Sequence, residues 1–337
     1  MRSTFIRRLA LATAVTCIAT AAMAAPVGNK VTRQIPGPDG GWDYASVDSA
    51  HRMLYVAHDK SVMSMTLDGG NRVANFGAVA HAHAVVPIAG RALLLVTSGQ
   101  DGTVRLFDTR SHKQVASIAV GEDPDAAIYN AATGEAAVMN AKSGTVSIID
   151  VANRKVARTI ALKPGLEFAQ FGAGGTLFVN NEDANSIATA NPATGGAGPT
   201  IALLGCTGPS GLGYDDKTAQ LISACDNGKA AVVDARTMKL THLIDIGAGP
   251  DAVIMDPAHR RAFIPCGQSG TLIEIALDGP QGAHATGTVT TAAGARTGAI
   301  DPKTGTIYLP TATAMAPPPG QHRAYKPSSF RVLVVSD

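Results

Sequence analysis

Aromatic residues are scarce in this chain, at 4% of 337 residues, and Trp42 is its single tryptophan. Its core cannot rest on large rings, so it must come from Ala, Val, Leu and Ile in many short elements. Charged residues are few as well, at 16%, and they form no basic stripe. That excludes an electrostatic nucleic-acid binder. Beyond the first two dozen residues no apolar run is long enough to span a bilayer. The G-x-S-x-G elbow, H-E-x-x-H, the Walker loop and C-x-x-C-H are all missing. The GLG at Gly211–Gly213 lies in a strand-like run with no helix after it, so it is not a dinucleotide fingerprint.

The N-terminus carries what the rest lacks. MRSTFIRRLALATAVTCIATAAMA has Arg2, Arg7 and Arg8, then an apolar run, then Ala22-Met23-Ala24. This is the pattern of a secretory signal peptide, residues 1–24, cleaved after Ala24. The flanks of Arg7-Arg8 do not fit a twin-arginine signal. The expected compartment is the periplasm. Removing the three leader arginines takes the formal charge from +2 to −1. Of four cysteines, Cys17 is in the leader and Cys206, Cys225 and Cys266 remain. In an oxidising compartment an odd number allows at most one internal bridge and leaves one thiol. Counting alone does not choose among the three pairs.

A repeat organises residues 25–337. TVRLFDTRSHKQVASIAVGEDPDAAI from Thr103, TVSIIDVANRKVARTIALKPGLEFAQ from Thr145 and AAVVDARTMKLTHLIDIGAGPDAVIM from Ala230 share one plan. A short apolar strand ends in Asp (Asp108, Asp150, Asp234), a polar turn follows, and an alternating strand leads to a Gly/Pro connection. Alternation with turn signals is strand chemistry, because successive side chains face opposite sides. A unit of about 42 residues holding four strands is the size of one propeller blade. The strands are called a to d from the axis outward.

The residue that opens strand a can be followed around the chain: Asp43, His83, Asp125, Glu167, Ser210, Asp251 and Arg296. Successive spacings are 40, 42, 42, 43, 41 and 45 residues. Seven such positions predict an all-β, seven-bladed β-propeller. The last blade ends in FRVLVVSD and lacks an outer strand. Val31–Pro36 (VTRQIP) resembles a strand d, so the N-terminal strand is predicted to complete the last blade and remove the open sheet edge.

LYVAHD (Leu54–Asp59), LFVNNED (Leu177–Asp183) and the VSIID…VARTIAL line resemble the YVTN-type repeats of the YncE-like family of exported bacterial proteins. The AHAHAVV, PDA, GCTGPSGLGYD and GARTGAIDPKTG segments resemble particular blades of that family, and the match runs through the whole mature chain. LLLVTSG, LISACDN and AFIPCGQ have lost the YVTN letters and match by position. The resemblance implies a periplasmic seven-bladed propeller and no particular reaction.

In a four-stranded blade the d-to-a connection and the b-to-c turn share one face, here the top. The seven opening residues would then ring the axial channel. Two readings stand beside each other: a solvated polar lining, or a ligand pocket with one histidine, one arginine and four carboxylates. His81 and His83 form an H-x-H pair that could chelate a divalent metal, the one cofactor class suggested, with Asp43 or Asp125 as third ligand. His58, on the first b-to-c turn, is a further top-face candidate. Asn180–Asp183 reads as an Asx/Gly turn.

The last blade carries an insertion, residues 311–329, within TATAMAPPPGQHRAYKPSSF (Thr311–Phe330). Topology places it on the top face, where it could act as a lid. His322, Arg323, Tyr325 and Lys326 would present cationic and aromatic groups to an anionic ligand or a partner. The three cysteines map to the same face. Strands a and b are neighbours, so Cys206–Cys225 is the predicted bridge, with Cys225–Cys266 its rival.

Two functions are compatible with these features. The first is a non-enzymatic periplasmic module that holds a small ligand or a protein partner at the top face and channel. It would have no nucleic-acid partner and no membrane span, and it would act as a monomer. The alternative is a channel-centred enzyme, a metal-assisted hydrolase of lactonase type or a lyase. There His83 would serve as base or ligand, Glu167 would bind metal or shuttle a proton, and Arg296 would stabilise negative charge.

Overall fold

The computed structural model describes residues 28–316 and 324–337. The leader and Arg323 lie outside the described residues. Among the described residues seven antiparallel blade sheets follow one another along the chain, each consecutive in order except the last, and an eighth sheet of two short strands, Ala314–Met315 and Ala324–Tyr325, lies in the insertion. Blade 2 shows the plan: strand a is Ala82–Pro87, b is Leu93–Ser98, c is Thr103–Asp108 and d is Gln114–Ala119. Blade 4 varies it, since two short pieces, Gly196–Ala197 and Ile201–Ala202, together replace its strand d.

The inner strands explain the small-residue composition. Strand b of blade 3 buries Ala136, Ala137, Val138 and Met139 at 0% exposure, because blades cover it on both faces. Strand d of the same blade, Lys155–Ala161, alternates exposed residues with half-buried or buried ones. Blades approach closely enough to demand glycine: a Cβ on Gly211 would lie 2.5 Å from the Ala252 backbone. The Asp that closes strand c has a structural task. Asp108 Oδ1 accepts from the Arg110 and Ser111 amides, and Asp234 Oδ1 from those of Arg236 and Thr237. Each caps its c-to-d turn.

The ring closes as the sequence suggests. Lys30–Pro36 pairs antiparallel with Arg331–Ser336, Val31 opposite Val335 and Pro36 opposite Arg331. On the bottom face two arginines lock neighbouring blades. Arg52 joins Asp68 to Asp301, and Arg260 joins Asp278 to Asp215. Both occupy left-handed turn positions between strands a and b (φ 56° and 54°).

Cys206 is bonded to Cys225, 19 residues on, and Cys266 is a buried thiol. Burial pushes the Cys266 thiol up to about 11, so it is protonated and inert. Replacing Cys206 and Cys225 by serine is expected to lower stability by about 3 kcal/mol on the loop-entropy account. Denaturant unfolding checks this; equal midpoints for the variant and the native chain would contradict it.

Candidate functional site

The top face holds a cavity of about 1200 Å3 lined by all seven residues indexed from the repeat, although Asp43, Asp251 and Arg296 lie two or three residues ahead of their strands, which begin at Ala45, Ile254 and Ala299. A local device aims four of them. In blades 2 to 5 the a–b register breaks at the start of strand a. There His83-Ala84, Asp125-Ala126, Glu167-Phe168 and Ser210-Gly211 each face a single residue of strand b. These are β-bulges, which turn a side chain out of the regular alternation. Side chains of the preceding blade then hold the carbonyls of this ring. Thr97 donates to Asp125 O, Asn180 to Ser210 O and Thr297 to Asp43 O. Asn180 is fully buried by this task, so its segment has a structural role.

The carboxylates outnumber the cations. The lining carries eight of them, Asp39, Asp43, Asp59, Asp125, Glu167, Glu182, Asp226 and Asp251, against Arg296, Lys326 and a protonated His83 among the described residues. Arg296 is already paired: it donates to Asp251 Oδ2 at 2.9 Å and to Trp42 O at 2.9 Å, and it lies over the Trp42 ring. Tyr325 also packs on Trp42, with ring centroids 5.0 Å apart. The described part of the insertion therefore brings an aromatic wall and Lys326 to a cavity of negative sign. The anionic ligand or partner expected from the insertion rested on His322, Arg323, Tyr325 and Lys326, of which Tyr325 and Lys326 are among the described residues. Asp59, Glu182 and Asp226 were missed as site residues. Each follows the end of a strand b, so the repeat register that located the inner ring could have found this outer tier.

His83 is the best-connected member. Its Nδ1–H donates to Asp43 Oδ2 at 2.8 Å and lies 3.5 Å from Asp125 Oδ1. Its Nε2 is 2.8 Å from His81 Nδ1 and 3.8 Å from Asp123 Oδ1. The two histidines therefore do not stand side by side on one strand face: His81 meets the ring nitrogen opposite the one that meets Asp43. His81 has φ +66° and precedes the strand, which begins at Ala82, so strand alternation does not extend back to it. It bonds to the far side of the His83 ring, and the group able to share an ion is Asp43, His83 and Asp125. Gly99 backs that ring; a Cβ there would lie 2.6 Å from His83 Nε2. His58 is buried instead: its Nε2 reaches Pro38 O and its ring meets Phe330 edge-on, outside the cavity lining. Ser210 donates to Pro250 O, so its hydroxyl is committed.

The cluster holds protons at neutral pH. Burial alone would favour a neutral His83, but the bond to Asp43 and the charges of Asp125, Asp43 and Asp123 outweigh it and raise the ring to about 9. Burial, then the charge of Asp43, raises Asp125 to about 8. Burial, then Asp125 and Asp251, pushes Glu167 well above the usual carboxylate range. Among the described residues Glu167 has no hydrogen-bond partner. Below the cluster Tyr44 packs on Phe168, centroids 5.1 Å apart, at the junction with a separate, smaller lower cavity.

A folded-state pKa above the unfolded value adds stability that is complete below the unfolded pKa and vanishes as pH rises through the folded one. All three groups are raised, so the melting temperature is expected to fall between about pH 5 and pH 9. Glu167→Gln removes one share. It should raise the melting temperature at pH 8 by a few degrees and flatten the slope. A slope unchanged by that substitution would contradict the reading.

No protein-family model matches this chain, and neither does any curated protein. Solved structures do. A chain of Kuenenia stuttgartiensis hydrazine synthase overlays it with TM-score 0.73 at 13% identity, covering 94% of this chain and 99% of that one. A chain of the mitotic checkpoint complex gives 0.74 at 15%, covering 97% and 100%. The RRP9 WD40 repeats give 0.77 at 8%, covering 90% and 97%. The chain is a seven-bladed β-propeller. Identities this low carry the fold alone. Among the described residues no helix is long and apolar enough to cross a membrane.

Proposed function

We propose that this propeller is an exported, periplasmic protein of the YVTN-repeat type that works as a binding module, its top-face cavity taking a positively charged ligand. The leader and the repeat letters support the compartment and the family. The observation that carries the ligand class is the excess of carboxylates around one cavity, whose arginine is already paired. Like charges drawn together in a partly dehydrated space repel unless a cation offsets them. Binding of a cation would relieve that repulsion.

The roles weighed for an enzyme fit less well. A base must be unprotonated, and His83 is raised to about 9. Arg296 is paired with Asp251 and bonded to Trp42 O, so its charge is already offset by a carboxylate. The propeller from the mitotic checkpoint complex is a precedent for this fold within an assembly.

Thermal melting at low ionic strength tests the sign. Calcium, putrescine and a lysine-rich peptide are compared with phosphate and citrate. A ligand at a hundredfold its dissociation constant adds about 2.7 kcal/mol, a rise of several degrees for a chain of this size. The rise is expected with at least one cation and should shrink in Glu167→Gln. Stabilisation by the anions alone would overturn the proposal.

A further inference from the structure

We propose that Asp43, His83 and Asp125 form a site for one divalent first-row transition metal, with His83 binding through Nδ1 and each aspartate through one oxygen, the Nδ1 proton that now bonds to Asp43 being released to solvent as the metal binds. The inference rests on the reading of the cavity as a cation site and names one class of cation for it.

The ligand atoms lie within 4.8 Å of one another. They come from three successive blades, so the packing of the ring sets their spacing. A tetrahedral ion with bonds near 2.0–2.1 Å needs ligand atoms about 3.3 Å apart. His83 Nδ1 and Asp125 Oδ1 are 3.5 Å apart. The 2.8 Å contact between His83 and Asp43 has to open by about half an ångström. Asp125 Oδ1 is buried and accepts no hydrogen bond among the described residues, so its lone pairs are unspent.

The outer partners are also in place. A ligating histidine usually bonds its other ring nitrogen to a fixed group. Here Nε2 meets His81 Nδ1 at 2.8 Å, and Gly99 leaves room for the ring. One imidazole and two carboxylates suit zinc, cobalt or manganese better than calcium or magnesium, which favour all-oxygen shells. All three residues line the cavity, so the remaining coordination positions open into it.

Cobalt(II), added alone to the metal-free chain and followed by its visible absorption, tests the site. One equivalent is expected to bind, with bands that indicate nitrogen coordination. His83→Gln and Asp125→Asn should each weaken binding by at least about a hundredfold. His81→Gln, which touches only the outer partner, should cost roughly tenfold to a hundredfold. His259→Gln on the opposite face should change nothing. Circular dichroism confirms that each variant is folded. Cobalt binding that folded His83→Gln leaves intact would overturn the proposal, as would no binding at millimolar cobalt. If putrescine or calcium still stabilises the chain while cobalt does not bind, the metal site fails and the cationic cavity stands. If no cation binds, both fail.

Discussion

Arg260→Ala is expected to cost about 3–5 kcal/mol. The guanidinium makes two bonds to Asp215, at 2.6 and 2.7 Å, and two to Asp278, both at 2.9 Å. The Asp215 side chain is 0% exposed, so removing its partner strands a buried charge between blades 5 and 6. The hydrogen bonds from Arg260 hold the Asp215 carboxyl down at about 2. That stability is complete above the usual carboxylate value and is lost as pH falls toward 2. The variant should therefore lose most near neutral pH and little below pH 2. Replacing Arg260 and Asp215 together by apolar residues should recover much of the loss. Urea unfolding of the single and double variants decides the matter; a single variant within 0.5 kcal/mol of the native chain, on the order of ordinary surface substitutions, would contradict it.

Deleting residues 28–36 is expected to have a comparable or larger effect. The deletion removes strand Lys30–Pro36, exposes the backbone of Arg331–Ser336 and opens the ring. It also removes the Asn29–Glu274 hydrogen bond to blade 6. Several ladder bonds at about 1 kcal/mol each form a large part of a stability margin of about 5–15 kcal/mol. The shortened chain should aggregate, or melt at least about 10 °C lower, and the peptide Lys30–Pro36 added in trans should restore part of the loss. A shortened chain that stays monomeric with the native melting temperature would mean that the strand does not close the ring.

Much of this was legible because a propeller repeats. Once Asp108, Asp150 and Asp234 set the register, the strand openings from Asp43 to Arg296 could be indexed, and all seven now line one cavity. The final strand without an outer neighbour pointed to Lys30–Pro36. The disposition of the histidines was not legible, because His81 leaves extended geometry at φ +66° and no spacing rule signals that. The bulges that aim His83, Asp125 and Glu167 are likewise invisible in an apolar–polar pattern. The charge of the cavity depends on pairing. Arg296 read alone suggests an anion site; bonded to Asp251 and Trp42 it leaves the carboxylates in excess. The locks at Arg52 and Arg260 went unread because they join residues far apart in the chain: Arg52 to Asp301, and Arg260 to Asp215.

The most direct test uses Trp42, the single tryptophan, which lines the cavity beneath Arg296. Its fluorescence is followed while calcium, cobalt(II), putrescine and a lysine-rich peptide are titrated separately into the folded chain at low salt, with phosphate and citrate in parallel. The cationic account predicts a saturable change with at least one of the cations, weakened in Glu167→Gln and in Asp125→Asn, and none with the anions. Saturation by phosphate or citrate with no response to any cation would contradict it.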